Sequence, residues 1–290
     1  MDFERHATLL FCAKSANVQG TWRGGSRKAL MSGNDMRMAD KVEQISQEQE
    51  LLFKEIKKLA INKGYDSESL EPIADGVVDV SSYVKSKRRL MWVLKEAYDC
   101  FDENNMPWGG GWRFFSEEKS CAPSVVNGSP TFRKIAYTSG ILADDAFDRY
   151  ESMPWLSETP ELCKVLRRIA YINTGKMPGG LRTSGDRLLA CYSEWRDVLW
   201  KQIKLYDPDV LIFAGTLDVY AKDMGIDLSR SLKTYSYEGT SYVDVYSWNG
   251  KGVFYAYHPA SFTNQEKYVD LLVDAVRDFE KENGSMKKGE

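Results

Sequence analysis

The sequence has little of what the common catalytic and metal-binding frameworks require. Its 290 residues include two histidines and five cysteines. The cysteines are widely spaced, odd in number and form no CxxC pair, which argues against a disulfide framework or a zinc ribbon and favours the cytoplasm. The signatures GxSxG, GxxxxGK(S/T) and GxGxxG are also absent, so the hydrolase, P-loop and dinucleotide-binding mechanisms that use them lack their parts.

Long apolar runs are missing too. No stretch approaches the roughly 20 residues needed to cross a bilayer. Residues 7–13 (ATLLFCA) have some of the character of a signal peptide, but they are barely long enough and follow Asp2 and Glu4. We therefore expect no secretory signal and no membrane partner.

The charge is nearly balanced, with 39 Lys+Arg against 42 Asp+Glu and a formal net charge of -3. The pI is about 5.7 and the mean hydropathy is -0.45. This balance argues against broad, non-specific nucleic-acid binding and is compatible with a local basic groove.

The pattern along the chain predicts a main domain preceded by a helical appendage. Between residues 39 and 63 apolar residues recur at helical spacing, and a polar stretch with Pro72 and Gly76 follows. No internal repeat is found. The predicted units are a loose leader (1–37), a helical appendage and linker (38–84), the main domain (85–282) and a tail (283–290).

The main domain alternates between apolar runs of strand length and amphipathic helical patterns. Continuous apolar strands separated by helices predict an α/β fold, a three-layer sandwich with a mostly parallel central sheet. The predicted strands are 90–94 (LMWVL), 169–172 (IAYI), 210–214 (VLIFA) and 253–257 (VFYAY), and the clearest helices span 188–206 and 268–279.

Polar residues follow each predicted strand. In open parallel sheets, ligands bind beyond the carboxyl ends of the strands. We therefore expect Glu96, Asn173 and His258 to line one pocket there. The segments that follow the strands are 95–99 (KEAYD), 173–176 (NTGK), 215–216 (GT) and 258–262 (HPASF).

These segments together resemble the uracil-DNA glycosylase superfamily, and its family 4 and family 5 branches in particular. The resemblance covers about residues 85–280 and rests on four pieces in order, none of which is specific by itself. The first lacks the glycines and proline of the family motif, and the iron-sulfur cysteines are not reproduced, so we expect no metal and no cofactor. The pieces are KEAYD (95–99), YINTGKMPGG (171–180), PDVLIFAGT (208–216) and HPASF (258–262).

The resemblance implies hydrolysis of an N-glycosidic bond, in which positive charge develops on the sugar and negative charge on the leaving base. Glu96 is expected to orient water and stabilise the cation, with Asp99 as the alternative acid. His258 is expected to donate a hydrogen bond to the leaving base, and Asn173 to read its edge with a donor and an acceptor. Read without the resemblance, the acids are solvated loop or capping residues and Asn173 a turn residue.

The resemblance also implies two further base contacts. Tyr98 is expected to exclude the methyl group of thymine, and Trp108 to stack on the flipped base. Trp112, Phe114 and Phe115 are the alternatives to Trp108, and an aromatic cluster of this kind also fits a protein core.

DNA contacts are expected from the loops that follow the strands. Lys176, Arg182, Arg187 and Ser261 are the candidates for phosphate contact. Phe262 is expected to fill the gap left by a flipped base, or else to pack under the C-terminal helix. The basic run 85–89 (KSKRR) precedes the first strand, at the opposite end, and is interpreted as a solvated face.

The resulting hypothesis is a monomeric DNA-repair-type glycosylase that acts on DNA containing uracil or a related lesion. Two alternatives remain open. The first is a non-catalytic nucleic-acid or nucleotide-binding module on the same fold, and the second is a different α/β enzyme whose loops only resemble these.

Overall fold

A mixed sheet of six strands forms the centre of the molecule. The structure is a computed structural model that describes residues 33–65, 70–98, 110–111, 113, 115–179 and 183–286. The strands are β1 (Leu90–Tyr98), β2 (Ala170–Gly179), β3 (Val210–Ala214), β4 (Lys233–Tyr237), β5 (Thr240–Trp248) and β6 (Lys251–Ala256). Their order across the sheet is β2-β1-β3-β6-β5-β4. The first four in this order are parallel, and the last two pairings are antiparallel.

The expected α/β fold with a mostly parallel sheet is confirmed. All four predicted strands form, and they are the four that run parallel. β3 is buried along its whole length, because helices cover both of its faces. A strand in that position needs a continuous apolar sequence rather than an alternating one.

Helices form a layer on each face of the sheet. One core contains the side chains of Trp92 and Leu94 together with those of α4 and α8. The other contains Met91 and Val93 together with α1, α6 and α7. The helices are α1 (Gly33–Asn62), α2 (Val80–Lys85), α3 (Pro123–Gly128), α4 (Pro130–Leu142), α5 (Pro160–Cys163), α6 (Gly185–Tyr206), α7 (Leu217–Met224) and α8 (Gln265–Met286). Short 3-10 turns occupy Glu118–Cys121, Tyr150–Ser152 and Lys164–Arg167.

The sequence analysis does not predict β4 and β5. Both antiparallel connections are two-residue turns, Glu238-Gly239 and Asn249-Gly250, and all four residues have φ between 48° and 75°. Positive φ at both central residues is the geometry of a type I′ hairpin turn, for which Asn-Gly is a strong sequence signal. That signal stands directly before β6.

The segment between α1 and β1 lies along the outer edge of β2. Gly76 pairs with Tyr171 in an isolated antiparallel bridge, and the Ile73 amide donates to the Lys176 carbonyl at 2.7 Å. The side chains of Ile73 and Val77 are buried, at 1% and 0% exposure. Residues 70–79 therefore cover the hydrogen-bonding edge that β2 would otherwise expose.

The basic run before β1 is a solvated face only in part, because Lys85 and Lys87 are exposed whereas Arg88 is buried. Arg88 is 7% exposed, and its guanidinium pairs with Asp145 at 2.7 Å and with Glu280 at 2.6 Å. Arg88 is buried because it stands just before a central strand, next to the end of α4 and to α8. A guanidinium can be buried there because all of its nitrogens are paired.

Two of the cysteines behave as small apolar groups, as expected. Cys121 and Cys163 are free thiols at 5% and 0% exposure in the α4–α8 core. Burial raises the pKa of Cys121 to about 11, so this thiol is not a nucleophile at neutral pH. Separately, no helix in the described ranges combines the length and apolarity needed to span a membrane.

The packing of α1 gives a first testable prediction. Ile56 on α1 is 1% exposed and belongs to the same core as Met91 and Val93, whereas Leu51 on the same helix is 62% exposed. Ile56→Ala should lower the free energy of unfolding by about 2–5 kcal/mol, because it leaves a cavity in that core. Leu51→Ala, the matched control, should change it by less than about 0.5 kcal/mol. Urea denaturation measures both, and equal effects would show that α1 is not part of the folding unit.

Candidate functional site

The polar residues at the carboxyl edge belong to two groups that meet at the end of β1. Consecutive residues of this strand contact different elements: Glu96 contacts the start of α6, and Lys95 reaches the ends of β3 and β6. β1 lies between β2 and β3 in the sheet, so side chains at its carboxyl end can contact both groups.

Glu96 lies in a tight polar pocket between β2 and α6. Its side chain is 2% exposed. Its carboxylate accepts from Arg187 Nε at 2.9 Å and from Thr183 Oγ1 at 2.9 Å. A Cβ on Gly179 would come within 2.3 Å of Glu96 Cδ, so a glycine is required there. The carboxylate is therefore held and neutralised in this conformation.

Lys95 lies across Gly215 towards His258. A Cβ on Gly215 would stand 3.5 Å from Lys95 Cε and 3.5 Å from the His258 backbone nitrogen. Gly215 has φ of +70°, and its amide donates to the Ala256 carbonyl at 2.8 Å. The glycine after β3 thus allows the lysine and the histidine loop to approach each other.

His258 is a neutral hydrogen-bond donor at physiological pH. Burial, and then the charges of Lys95 and Lys134, lower its pKa to about 4. Its Nδ1 accepts from the Ala260 amide at 3.2 Å. A neutral imidazole that accepts at Nδ1 carries its proton on Nε2, so Nε2–H is available to a ligand.

A buried lysine holds the loop that carries His258. Lys134 on α4 is 3% exposed and donates to the Ser261 carbonyl at 3.0 Å and to Thr263 Oγ1 at 2.8 Å. Its ammonium also lies 4.9 Å from the centre of the Tyr268 ring. Burial, with a contribution from Arg133, lowers the pKa of Lys134 to about 8. Sequence reasoning missed this residue, whose only signal is a charge on the apolar face of a helix.

Phe262 stands at the tip of this loop and is fully exposed, at 110% of its reference area. The alternative that it packs under the C-terminal helix is therefore wrong. Tyr257, just before His258, is also exposed, at 43%. Two aromatic side chains thus face solvent at the carboxyl edge.

Asn173 is buried with its carboxamide unsatisfied. The side chain is 1% exposed, and neither Oδ1 nor Nδ2 makes a hydrogen bond of good geometry among the described residues. The neighbouring polar group is the Tyr171 hydroxyl, whose pKa burial raises, an effect that the Asn173 side chain partly offsets. Its backbone amide donates to Asp75 Oδ2 at 2.6 Å. An unmet buried polar group costs about 1–3 kcal/mol, so two such atoms at a strand end need an explanation.

The structure contradicts two of the expected phosphate contacts. Lys176 is 0% exposed and forms an ion pair with Asp75 at 2.8 Å, so its ammonium cannot reach a phosphate on the surface. Ser261 Oγ is likewise buried, without a partner in the described part of the chain. Arg187 is 53% exposed and stays available on its outer side.

Asp75 is a second site residue that sequence reasoning missed. It lies in the stretch that reads as a linker, and its partner Lys176 is 101 residues away. The signal was present as a single carboxylate within the apolar run IADGVV (73–78).

Several predicted site residues lie outside the described residues. Asp99, Trp108 and Arg182 are among them, as are the alternatives Trp112 and Phe114, and for Tyr98 only the backbone is described. Phe115 is 2% exposed and packs edge-on against Phe132 with ring centres 5.0 Å apart. Phe115 is therefore a core residue and not a wall of the pocket.

The three residues predicted to line one pocket share one edge but not one set of contacts. Glu96 is engaged by α6, His258 by Lys95 and the α4 side, and Asn173 by Asp75 at the outer edge of β2. No contact between Glu96 and His258 is found among the described residues.

A groove of about 890 Å³ lies elsewhere, beside α1, α2 and residues 165–168. It adjoins the residues that precede β2 and so belongs to the amino-terminal edge of the sheet. Its basic side chains are largely paired, Arg113 with Glu50 and Arg168 with Asp144. Among the described residues, buried polar atoms without a partner occur at both edges, Arg113 Nε and Arg167 Nε in the groove and Ser261 Oγ in the His258 loop. The candidate site is assigned to the carboxyl edge because the neutral His258 and the exposed Phe262 lie there.

Comparison of the chain with known family models and with curated proteins gives no match. The fold and the site together define only a class of protein. It is an α/β protein whose mostly parallel sheet carries a neutral His258, the buried carboxamide of Asn173 and the exposed rings of Tyr257 and Phe262 at its carboxyl edge.

The environment of His258 gives a second prediction, which NMR titration can test. His258 should titrate near pH 4, and Lys95→Met should raise this pKa, because removing a positive charge favours the imidazolium. Lys204→Met, at an exposed position on α6, should leave it unchanged. The chain has one other histidine, His6, so His6→Gln assigns the signals.

The same depressed pKa predicts how stability depends on pH. Because the unfolded chain takes up the proton first, the free energy of unfolding should fall as the pH is lowered from about 6.5 towards 4. His258→Gln should flatten this part of the curve. A pKa of 6 or above for His258 would contradict the assigned environment.

Proposed function

We propose that this protein hydrolyses the N-glycosidic bond of uracil, or of a related damaged base, in DNA, on a fold like that of the uracil-DNA glycosylases. The observation that carries the proposal is the loop after β6. It combines a neutral histidine with a free Nε2–H, a lysine beside it and a fully exposed phenylalanine at its tip.

The histidine fits the charge that develops on the leaving base. As the glycosidic bond breaks, negative charge collects on the pyrimidine oxygens. One preorganised donor at that position contributes about 10²–10³ in rate. His258 Nε2–H supplies the donor, and the ammonium of Lys95 adds a positive charge to the same region.

The carboxamide of Asn173 fits the edge of uracil. It offers one acceptor and two donors, and uracil presents N3–H and O4 side by side. In the described part of the chain neither atom of the amide makes a hydrogen bond of good geometry, and the Tyr171 hydroxyl is its polar neighbour. A flipped base that supplied a donor and an acceptor would satisfy them together.

Glu96 and Arg187 act as a pair in this proposal. Arg187 is half-exposed in the first turn of α6, a favourable position for a phosphate. When DNA binds, Arg187 turns to the phosphate and the Glu96 carboxylate becomes free to orient water and stabilise the sugar cation. Phe262 enters the duplex where the base has left. The partner is DNA, the protein acts as a monomer in the cytoplasm, and Asp99 is the second candidate acid.

A non-catalytic module that grips nucleic acid or a nucleotide is the second candidate. The Glu96–Arg187 ion pair at 2.9 Å favours it, because a neutralised carboxylate is a poor base for water. The two candidates agree on binding and differ only in turnover.

The activity gives the third prediction. Purified protein should release uracil from an oligonucleotide with a single deoxyuridine and leave an alkali-labile abasic site. His258→Gln should slow release by about 10²–10³-fold, since one donor to the developing anion is lost. Glu96→Gln should slow release without weakening DNA binding, because the carboxylate acts on the transition state and its loss frees Arg187 for the phosphate. Lys204→Met serves as the control. Tight binding of uracil-containing DNA with no base released, across several lesions, would favour the binding module.

The exposure of Phe262 gives the fourth prediction. Phe262→Ala should reduce uracil release from double-stranded DNA more than from single-stranded DNA, because only the duplex has a gap to fill. The melting temperature should not change, since the side chain is fully exposed. Leu232→Ala, at a position 64% exposed between α7 and β4, is the matched control. Equal losses on both substrates would remove the wedge role.

A further inference from the structure

A fully buried ion pair lies directly behind Asn173. The side chains of Lys176 and Asp75 are 0% and 1% exposed, and Lys176 Nζ donates to both oxygens of Asp75, at 2.8 and 3.1 Å. Gln202 Nε2 on α6 donates to the same carboxylate at 2.7 Å. The Asp75 carboxylate thus collects donors from both β2 and α6.

The pair is not explained by stability. Burying two charges is expensive, and a well-packed apolar pair of the same volume often gives an equally stable or more stable protein. What an apolar pair cannot supply is an acceptor for the backbone of β2. Asp75 Oδ2 accepts a hydrogen bond from the Asn173 amide at 2.6 Å, and its side chain is 1% exposed.

We propose that Asp75 is a positioning residue for Asn173, and this inference rests on the proposed function. The carboxylate fixes the amide nitrogen of Asn173, and with it the direction in which the unsatisfied carboxamide is presented to a flipped base. Lys176 cancels the charge of Asp75, so that no net negative charge stands behind a base that leaves as an anion.

The carboxylate comes from a part of the chain that precedes β1. Residues 73–76 are held to β2 by the Ile73 amide and by the Gly76–Tyr171 bridge. A Cβ on Gly76 would collide with the Tyr206 hydroxyl at 2.1 Å, so this approach requires glycine. The unit that reads the base therefore includes residues 70–79 as well as the sheet.

The test compares two double variants that carry the same charge. Asp75→Asn with Lys176→Met keeps an acceptor oxygen for the Asn173 amide, and Asp75→Leu with Lys176→Met removes it. Both lack the buried charges, so neither leaves one of them unpaired. Thermal melts establish a temperature at which both variants and the wild type are folded, and all rates are measured there.

The Asn variant should release uracil within about 10-fold of the wild-type rate. The Leu variant should lose roughly 100-fold in kcat, the scale of a misplacement of about 1 Å at a reacting site. It should also lose discrimination between uracil and cytosine, because cytosine presents an acceptor at N3 and a donor at N4 where uracil presents N3–H and O4. If the two variants release uracil at the same rate and with the same discrimination, the pair has only a structural role and the proposal is wrong.

A second readout needs no activity. The side-chain NH₂ signals of Asn173, observed by NMR, should match the wild type in the Asn variant and should move or split in the Leu variant. Unchanged signals in the Leu variant overturn the positioning role even if the wild type is active. Conversely, if the wild type releases no base from any lesion, the proposed function fails, and these signals still decide whether Asp75 positions Asn173.

Discussion

A carboxylate and an ammonium with essentially no exposure to solvent tie the segment before β1 to the carboxyl end of β2. In a medium of low polarity an ion pair of this kind persists only when its remaining lone pairs and protons are also met. Asn173 and Gln202 meet those of Asp75. The backbone of Asn173, the segment that covers the edge of β2 and Gln202 on α6 all contact this pair.

Because β1 lies between β2 and β3, residues near its carboxyl end contact both sides of the site. Glu96 contacts α6, and Lys95 lies near Gly215 and His258. One half of the edge is neutral and closed, because Arg187 pairs with Glu96. The other half is positively charged and presents His258 Nε2–H and an exposed Phe262. A ligand that carries negative charge and an aromatic ring suits the second half.

The parallel strands and the edge at which the site lies could be predicted from the sequence, because buried parallel strands need continuous apolar runs. The hairpins of β4 and β5 were also predictable, since Asn249-Gly250 is a strong turn signal. The environment of Lys176 was not predictable, because a lysine in a strand-end motif looks the same whether it faces phosphate or a buried acid 101 residues away. Arg88 is a similar case, since its partners Asp145 and Glu280 come from distant segments.

The central claim is that the carboxyl edge, and not the groove of about 890 Å³ at the opposite edge, receives the base. The most direct measurement adds an oligonucleotide with 2′-fluoro-deoxyuridine, whose electron-withdrawing fluorine slows formation of the sugar cation, to isotope-labelled protein. The account predicts that the NMR signals of the Asn173 carboxamide and of His258 shift and that those of Arg167, in the groove, do not. Shifts confined to the Arg167 groove, with Asn173 and His258 unchanged, would contradict it.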